Sequence, residues 1–271
     1  ARLDKTPSVR EVAQLGAVLG REFGYEIVRS LGAFDENTLN EGLEHLVEEE
    51  LLYKRGRLPR AKYMFKHALI QDAAYQSLLK RTRQHYHAEV AKLLKGKFPE
   101  TEETQPEILA HHYTEAGQIE QALDYWLKAG ELALKRSANH EAIGHLKRGL
   151  ALLSGDGSLA ERELAMLRLL GTAYMATKGY SAPETIETYQ RARKLCSIVQ
   201  NDSIYPVMFG LWLSILVQAD HAESGELCAE MHQLVENSDN AYARFTAHGM
   251  SSFAYLHVGD QPKAQRHFLA S

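Results

Sequence analysis

Histidine is the side chain whose ordinary pKa lies nearest neutral pH and a common metal ligand, and it occurs 13 times against two cysteines. A helical metal site needs its ligands three or four residues apart, on one face. His111 and His112 are adjacent, and His85 and His87 are two apart, so neither pair shares a helix face. The chain has no H-E-x-x-H and no Cys/His cluster at zinc spacing, so no metal site is expected. Phosphate chemistry would need a G-x-x-x-x-G-K-[ST] loop, and acyl transfer a nucleophile elbow; neither occurs. Gly16, Gly20 and Gly24 recur at helical spacing with no strand before them, which is not how a phosphate loop is built. No nucleophile is paired with a base. The expectation is therefore a chain that is not an enzyme, with no catalytic residue. Cys196 and Cys228 lie outside any C-x-x-C and inside apolar helical patterns, so both are read as packing residues of a protein kept in a reducing cytoplasm.

One cluster of charge stands out. Lys54, Arg55, Arg57, Arg60 and Lys62 surround a turn containing Gly56 and Pro59. Such a turn is a solvated hairpin tip, a docking surface for a partner or neighbouring domain, or a nucleic-acid contact. The segment that would enter a DNA groove runs from Glu36 to Glu50. It carries Glu36, Glu41, Glu44, Glu48, Glu49 and Glu50 and no Lys or Arg, the wrong charge to face phosphates. The whole chain is also acidic, with 31 basic against 35 acidic residues and a formal charge of −4. No nucleic-acid partner is expected, and the rival reading is a transcriptional regulator that binds nucleic acid through the basic turn 54–62.

The elements that must position these residues read as mostly α. The 271 residues are 45% apolar and 24% charged, an ordinary globular mixture, with no apolar run of the ~18 residues that would suggest a membrane span. Val9, Val12, Leu15 and Leu19 predict a first helix ended by Gly20. Ile27, Val28 and Leu31 predict a second, closed by Gly32. Leu39, Leu43, Leu46 and Val47 predict a third, opened by Asp35 or Asn37. Strand-like segments 51–54 and 63–66 then flank the basic turn, so three helices and a β-hairpin give a winged-helix order. Residues 69–98 read as one long helix, and Glu100 to Glu103 as a solvated connector.

After Pro106 the pattern repeats as helix–turn–helix. Gly117-Gln118-Ile119-Glu120-Gln121-Ala122 parallels Ala138-Asn139-His140-Glu141-Ala142, and Ala219-Asp220-His221 parallels Gly259-Asp260-Gln261. The turns at 179, 219 and 259 are spaced more widely than the ~34 residues of a tetratricopeptide repeat. Trp126, Gly130, Ala142, Leu146 and Gly149 nevertheless occupy its aromatic, small, small, large and small sites, and Gly171, Tyr174 and Ala264 fall at further packing positions. The expected division is a winged-helix-like domain over 1–98 and a tetratricopeptide-like, right-handed superhelix over 99–271, whose concave face takes a protein partner or peptide. The start lacks an initiator Met and the end stops inside an amphipathic pattern, so an excised piece of a longer protein is expected.

Two segments carry a family resemblance: Val12-Ala13-Gln14-Leu15-Gly16-Ala17-Val18-Leu19-Gly20-Arg21-Glu22-Phe23, and Phe65-Lys66-His67-Ala68-Leu69-Ile70-Gln71-Asp72-Ala73-Ala74-Tyr75. They resemble the region just after the ATPase module of large bacterial STAND-class signalling ATPases. Many of these carry class III adenylate/guanylate cyclase or protein kinase domains at one end and tetratricopeptide repeats at the other. The resemblance implies a signal-transduction role, an upstream ATPase domain as partner in cis, and ATP or ADP with Mg bound only in that upstream module. It also implies a role for His67. Related STAND ATPases use the histidine of a Met-His-Asp-Leu motif to touch the phosphate of bound ADP; here Ala68 follows the histidine. His67 is thus either a nucleotide sensor or a partly buried histidine at a strand–helix junction.

Overall fold

The computed structural model describes residues 7–153, 155, 157–236 and 238–271. They are mostly helical and divide into two compact units, Ala1–Tyr125 and Trp126–Ser271.

In the first unit α1 (Pro7–Leu19), β1 (Glu22–Gly24), α2 (Tyr25–Ser30), α3 (Glu36–Glu48), β2 (Leu52–Arg55) and β3 (Lys62–Phe65) follow in order. Asp35 caps α3, its carboxylate accepting from the amides of Asn37 and Thr38 at 3.0 Å. The sheet has three antiparallel strands in the order β1-β3-β2, with Phe23 opposite Tyr63 and Leu52 opposite Phe65. The strand β1 goes beyond the expected hairpin. Three residues with a terminal glycine give no readable alternation, and the segment is extended because β3 pairs with it. The Phe23 ring stacks on Tyr63 at 5.8 Å, and a Cβ on Gly16 would sit 2.7 Å from the Phe23 ring, so only glycine lets α1 lie this close. Leu15, Leu39, Leu43, Leu46, Leu52, Tyr63 and Phe65 fill the core between helices and sheet.

Two expectations need correction in this unit. The single helix over 69–98 is two, α4 (Ala68–Gln76) and α5 (Lys80–Lys97). Ser77 breaks it: its hydroxyl donates to the Ala74 carbonyl at 2.7 Å and accepts from the Gln14 amide at 2.7 Å, while Leu78 turns inward. The acidic connector is also a helix, α6 (Pro99–Thr104), with Pro99 in its first turn and Glu100 and Glu102 favourably placed at its positive end. Next come α7 (Pro106–Ala116) and the start of α8 (Ile119–Lys135), joined by Gly117 in the left-handed conformation at φ 76°. Because α5 packs on α7, the first compact unit reaches Tyr125, beyond residue 98.

The second unit contains the rest of α8, then α9 (Asn139–Leu150), α10 (Ala160–Lys178), α11 (Pro183–Val199), α12 (Ile204–Val217), α13 (His221–Val235), α14 (Ala241–His257) and α15 (Gln261–Ala270). From α9 onward each helix packs on the next, and α10 and α12 also touch the helix two further on. The small residues sit where helices meet. A Cβ on Gly130 would fall 2.6 Å from Leu146, and one on Gly149 2.6 Å from Met166. The Tyr189 ring of α11 fills the space above two glycines, Gly171 of α10 and Gly210 of α12, and a Cβ at either would collide with it. Ala142 is fully buried against Ala133 and Ala173, Tyr174 and Ala264 are buried, and Trp126 stacks on His145 at 5.7 Å. Gly179, Ala219 and Gly259 all have positive φ, so the recurring turns share a left-handed residue even where it is alanine. Cys196 and Cys228 lie in the core of this unit, and burial pushes each thiol up to about 11. Among the described residues no helix is long and apolar enough to cross a membrane.

Candidate functional site

The basic turn is fully displayed. Lys54, Arg55, Arg57, Arg60 and Lys62 are all exposed. Lys62 pairs with Glu22 at 3.2 Å, and the Lys54 ammonium stands 6.0 Å from the Tyr63 ring. Glu36, Glu41, Glu44 and Glu48 of α3 are exposed as well, so the same unit displays both signs of charge.

His67 is exposed. It is the N-cap of α4 with extended backbone (φ −129°, ψ 138°), and its side chain makes no capping hydrogen bond. Its neighbour Lys66 donates to Glu50 at 3.0 Å and lies 5.6 Å from the Tyr53 ring. Leu69, at 81% exposed, completes an open patch at the helix start.

Beyond these residues, the helices gather histidines that are distant in sequence. Between α5 and α7, His87 and His112 face each other with Nδ1 atoms 2.8 Å apart. His87 Nε2 lies 2.9 Å from the Tyr75 hydroxyl, which donates to Glu115 at 3.0 Å. These contacts fix the protons. With the Tyr75 proton given to Glu115, its oxygen accepts from His87 Nε2–H; His87 Nδ1 is then the acceptor, and His112 Nδ1–H the donor. Burial, reinforced by His111 and Arg83, lowers His87 to about 4. Burial, with His87 and His111, lowers His112 to about 3. Burial and the Glu115 carboxylate raise Tyr75 to about 12, which keeps its proton in place.

The second gathering joins α13, α14 and α15. His232, His248 and His267 each bring one ring nitrogen within 4.8 Å of the others, and all three are half-buried. The Nδ1 atoms of His248 and His267 are 3.2 Å apart. His232 Nε2 lies 3.0 Å from the hydroxyl of Ser251, a buried residue of α14. The Tyr255 ring stacks on His267 at 5.5 Å. Burial lowers His232 and His267; His248 adds to both, and Arg266 acts on His267. Spacing along one helix gave no sign of this grouping, because three helices each contribute one ring. Which faces meet depends on how α13 to α15 stack, and no local spacing records that.

Helices α12, α14 and α15 leave an apolar groove open to solvent. Phe209 of α12, Tyr242, Phe245, Phe253 and Leu256 of α14, and Phe268 of α15 line it. The buried face of α14 is Ala243, Ala247 and Met250, and its apolar surface continues from there through Thr246 and Phe253 onto the open side.

No family model matches the chain. It is 28% identical over 222 residues to an uncharacterized protein of Rhizobium meliloti (strain 1021), a match covering 79% of this chain and 22% of that protein. The chain thus spans about a fifth of the length of that curated relative. Among solved structures it is similar to the Signal Transduction ATPase with Numerous Domains (STAND) protein with a tetratricopeptide repeat sensor from Pyrococcus horikoshii. That likeness has a TM-score of 0.48 and 9% identity, over 97% of this chain and 49% of that one. It is also similar to Aspartyl phosphate phosphatase F from Bacillus subtilis, with a TM-score of 0.48 and 13% identity over 97% and 73%.

Proposed function

We propose that this chain is a non-catalytic regulatory and protein-interaction region of a larger cytoplasmic signalling ATPase. The helical hairpins of the second unit take a protein partner. The winged-helix-like first unit couples that binding to a nucleotide-binding module elsewhere in the protein. The observation that carries the reading is the wide apolar surface of α14, part of which stays open. A contiguous exposed apolar patch marks an interaction site, and this one bears Phe245, Phe253 and Leu256, each more than half exposed. The proposed occupant is an amphipathic helix of the partner, which would lie along α14 as a neighbouring helix does. His67 supports the coupling: it stands exposed at the N-terminus of α4, where backbone N–H groups favour a phosphate.

Three measurements test this. The purified chain should hydrolyse no ATP, and turnover by it would overturn the reading. In the full parent, Phe245→Asp with Phe253→Asp should leave basal ATP turnover intact and abolish its response to the partner. His67→Ala in the parent should release ADP faster; release at the wild-type rate would remove His67 from the coupling.

A further inference from the structure

We infer that His232, His248 and His267 form a binding site for a zinc ion, with three imidazole ligands and a fourth position open to water. Zinc takes histidine nitrogens at about 2.0–2.1 Å in a tetrahedron, so ligand atoms stand about 3.3 Å apart along each edge. The Nδ1 atoms of His248 and His267 are already 3.2 Å apart. No pair in the group exceeds 4.8 Å, leaving at most about 1.5 Å for side-chain rotation to close.

The surroundings match what such a ligand set needs. Ligating imidazoles are held by a second hydrogen bond, and the buried Ser251 hydroxyl holds His232 in this way. Tyr255 packs flat on His267 and fixes its plane. A neutral imidazole has one in-plane lone pair, so the 3.2 Å pair is satisfied only while one of the two rings carries its proton on Nδ1. Moving that proton to Nε2 frees both Nδ1 atoms for the metal, with no net proton released.

Placement suggests what the ion does. Ala264 is the one buried residue of α15 among those described. His267 reaches from this thinly anchored helix to ligands on both α13 and α14. Zinc would therefore fasten the last helix to the two before it, as structural metal sites couple binding to folding.

The test uses the untagged chain, stripped with a chelator and then titrated with zinc chloride by calorimetry. The expected result is one ion per chain, bound at about micromolar or tighter, and visible absorption bands of a tetrahedral centre when cobalt(II) replaces zinc. His248→Ala and His232→Ala should each weaken zinc binding about 100-fold or more, and Ser251→Ala about 10-fold. His267→Gln, which keeps the helix intact, should lose the cobalt bands while far-UV circular dichroism stays unchanged. His111→Ala should bind as wild type. Zinc binding weaker than about 100 μM, or undiminished in His232→Ala and His248→Ala, overturns the site.

Discussion

His87 and His112 meet inside the first unit, and His232, His248 and His267 meet on the flank of the second, yet the two groups do opposite things with the same side chain. At 1% and 3% exposed, the first pair is sealed and ends on a carboxylate, so its ring protons run in one direction from His112 through His87 and Tyr75 to Glu115. The second group is half-buried, and the hydrogen bonds found for it are to Ser251 and between its own rings. A closed chain of donors and acceptors rigidifies a core; converging lone pairs make a ligand set. What separates them is the fourth residue, a glutamate in one and a serine in the other.

Acid should give the largest contrast. Both His87 and His112 hold their protons less tightly when folded than the ordinary histidine value of 6.5. The unfolded chain therefore binds more protons below that pH, and stability must fall as pH falls. The loss starts near 6.5 and continues toward 4 for His87 and 3 for His112. It should reach on the order of 3 kcal/mol for His87 alone. Urea midpoints measured from pH 7.5 to 4 should show it, and His112→Phe should flatten the curve; an unchanged slope would mean the pair is not the titrating element.

Breaking the chain in its middle comes next in size. Tyr75→Phe strands His87 Nε2–H and a lone pair of Glu115, at about 1–3 kcal/mol by urea unfolding at pH 7.5. Wild-type stability in that variant would show that water replaces the hydroxyl.

The second cluster should be far less sensitive without metal. His267→Ala should cost about 0.5 kcal/mol or less in chelator-treated protein, as for a half-exposed side chain away from the core. A much larger loss would make the cluster a packing element like the first. Smallest of all, Ser251→Ala should leave urea stability without metal nearly unchanged, the contrast to Tyr75→Phe that separates an orienting hydroxyl from a bridging one.

Local chemistry made much of this legible. Asp35 caps the helix it was expected to open, the turns expected at 179, 219 and 259 each carry a positive φ, and Gly130, Ala142 and Gly171 stand at close helix contacts. Where the reading failed, the deciding contact came from a residue distant in sequence. The three residues of β1 are a strand only because β3 lies beside them, and Ser77 breaks a helix that its own sequence would continue partly because Gln14 holds its hydroxyl. The histidine clusters are the extreme case. His87 finds His112, and His232 finds His267, through helix stacking that no spacing within one helix encodes.

The two cysteines turn the second unit into its own clock. Cys196 of α11 and Cys228 of α13 are sealed in one core, and burial holds both thiols up at about 11, so at neutral pH they present neither access nor thiolate to a reagent. Modification must wait until the surrounding helices part. The rate at which each sulfur is labelled then reports how often its own stretch of the array opens, and comparing the two rates tells whether the helices separate together or peel away in turn.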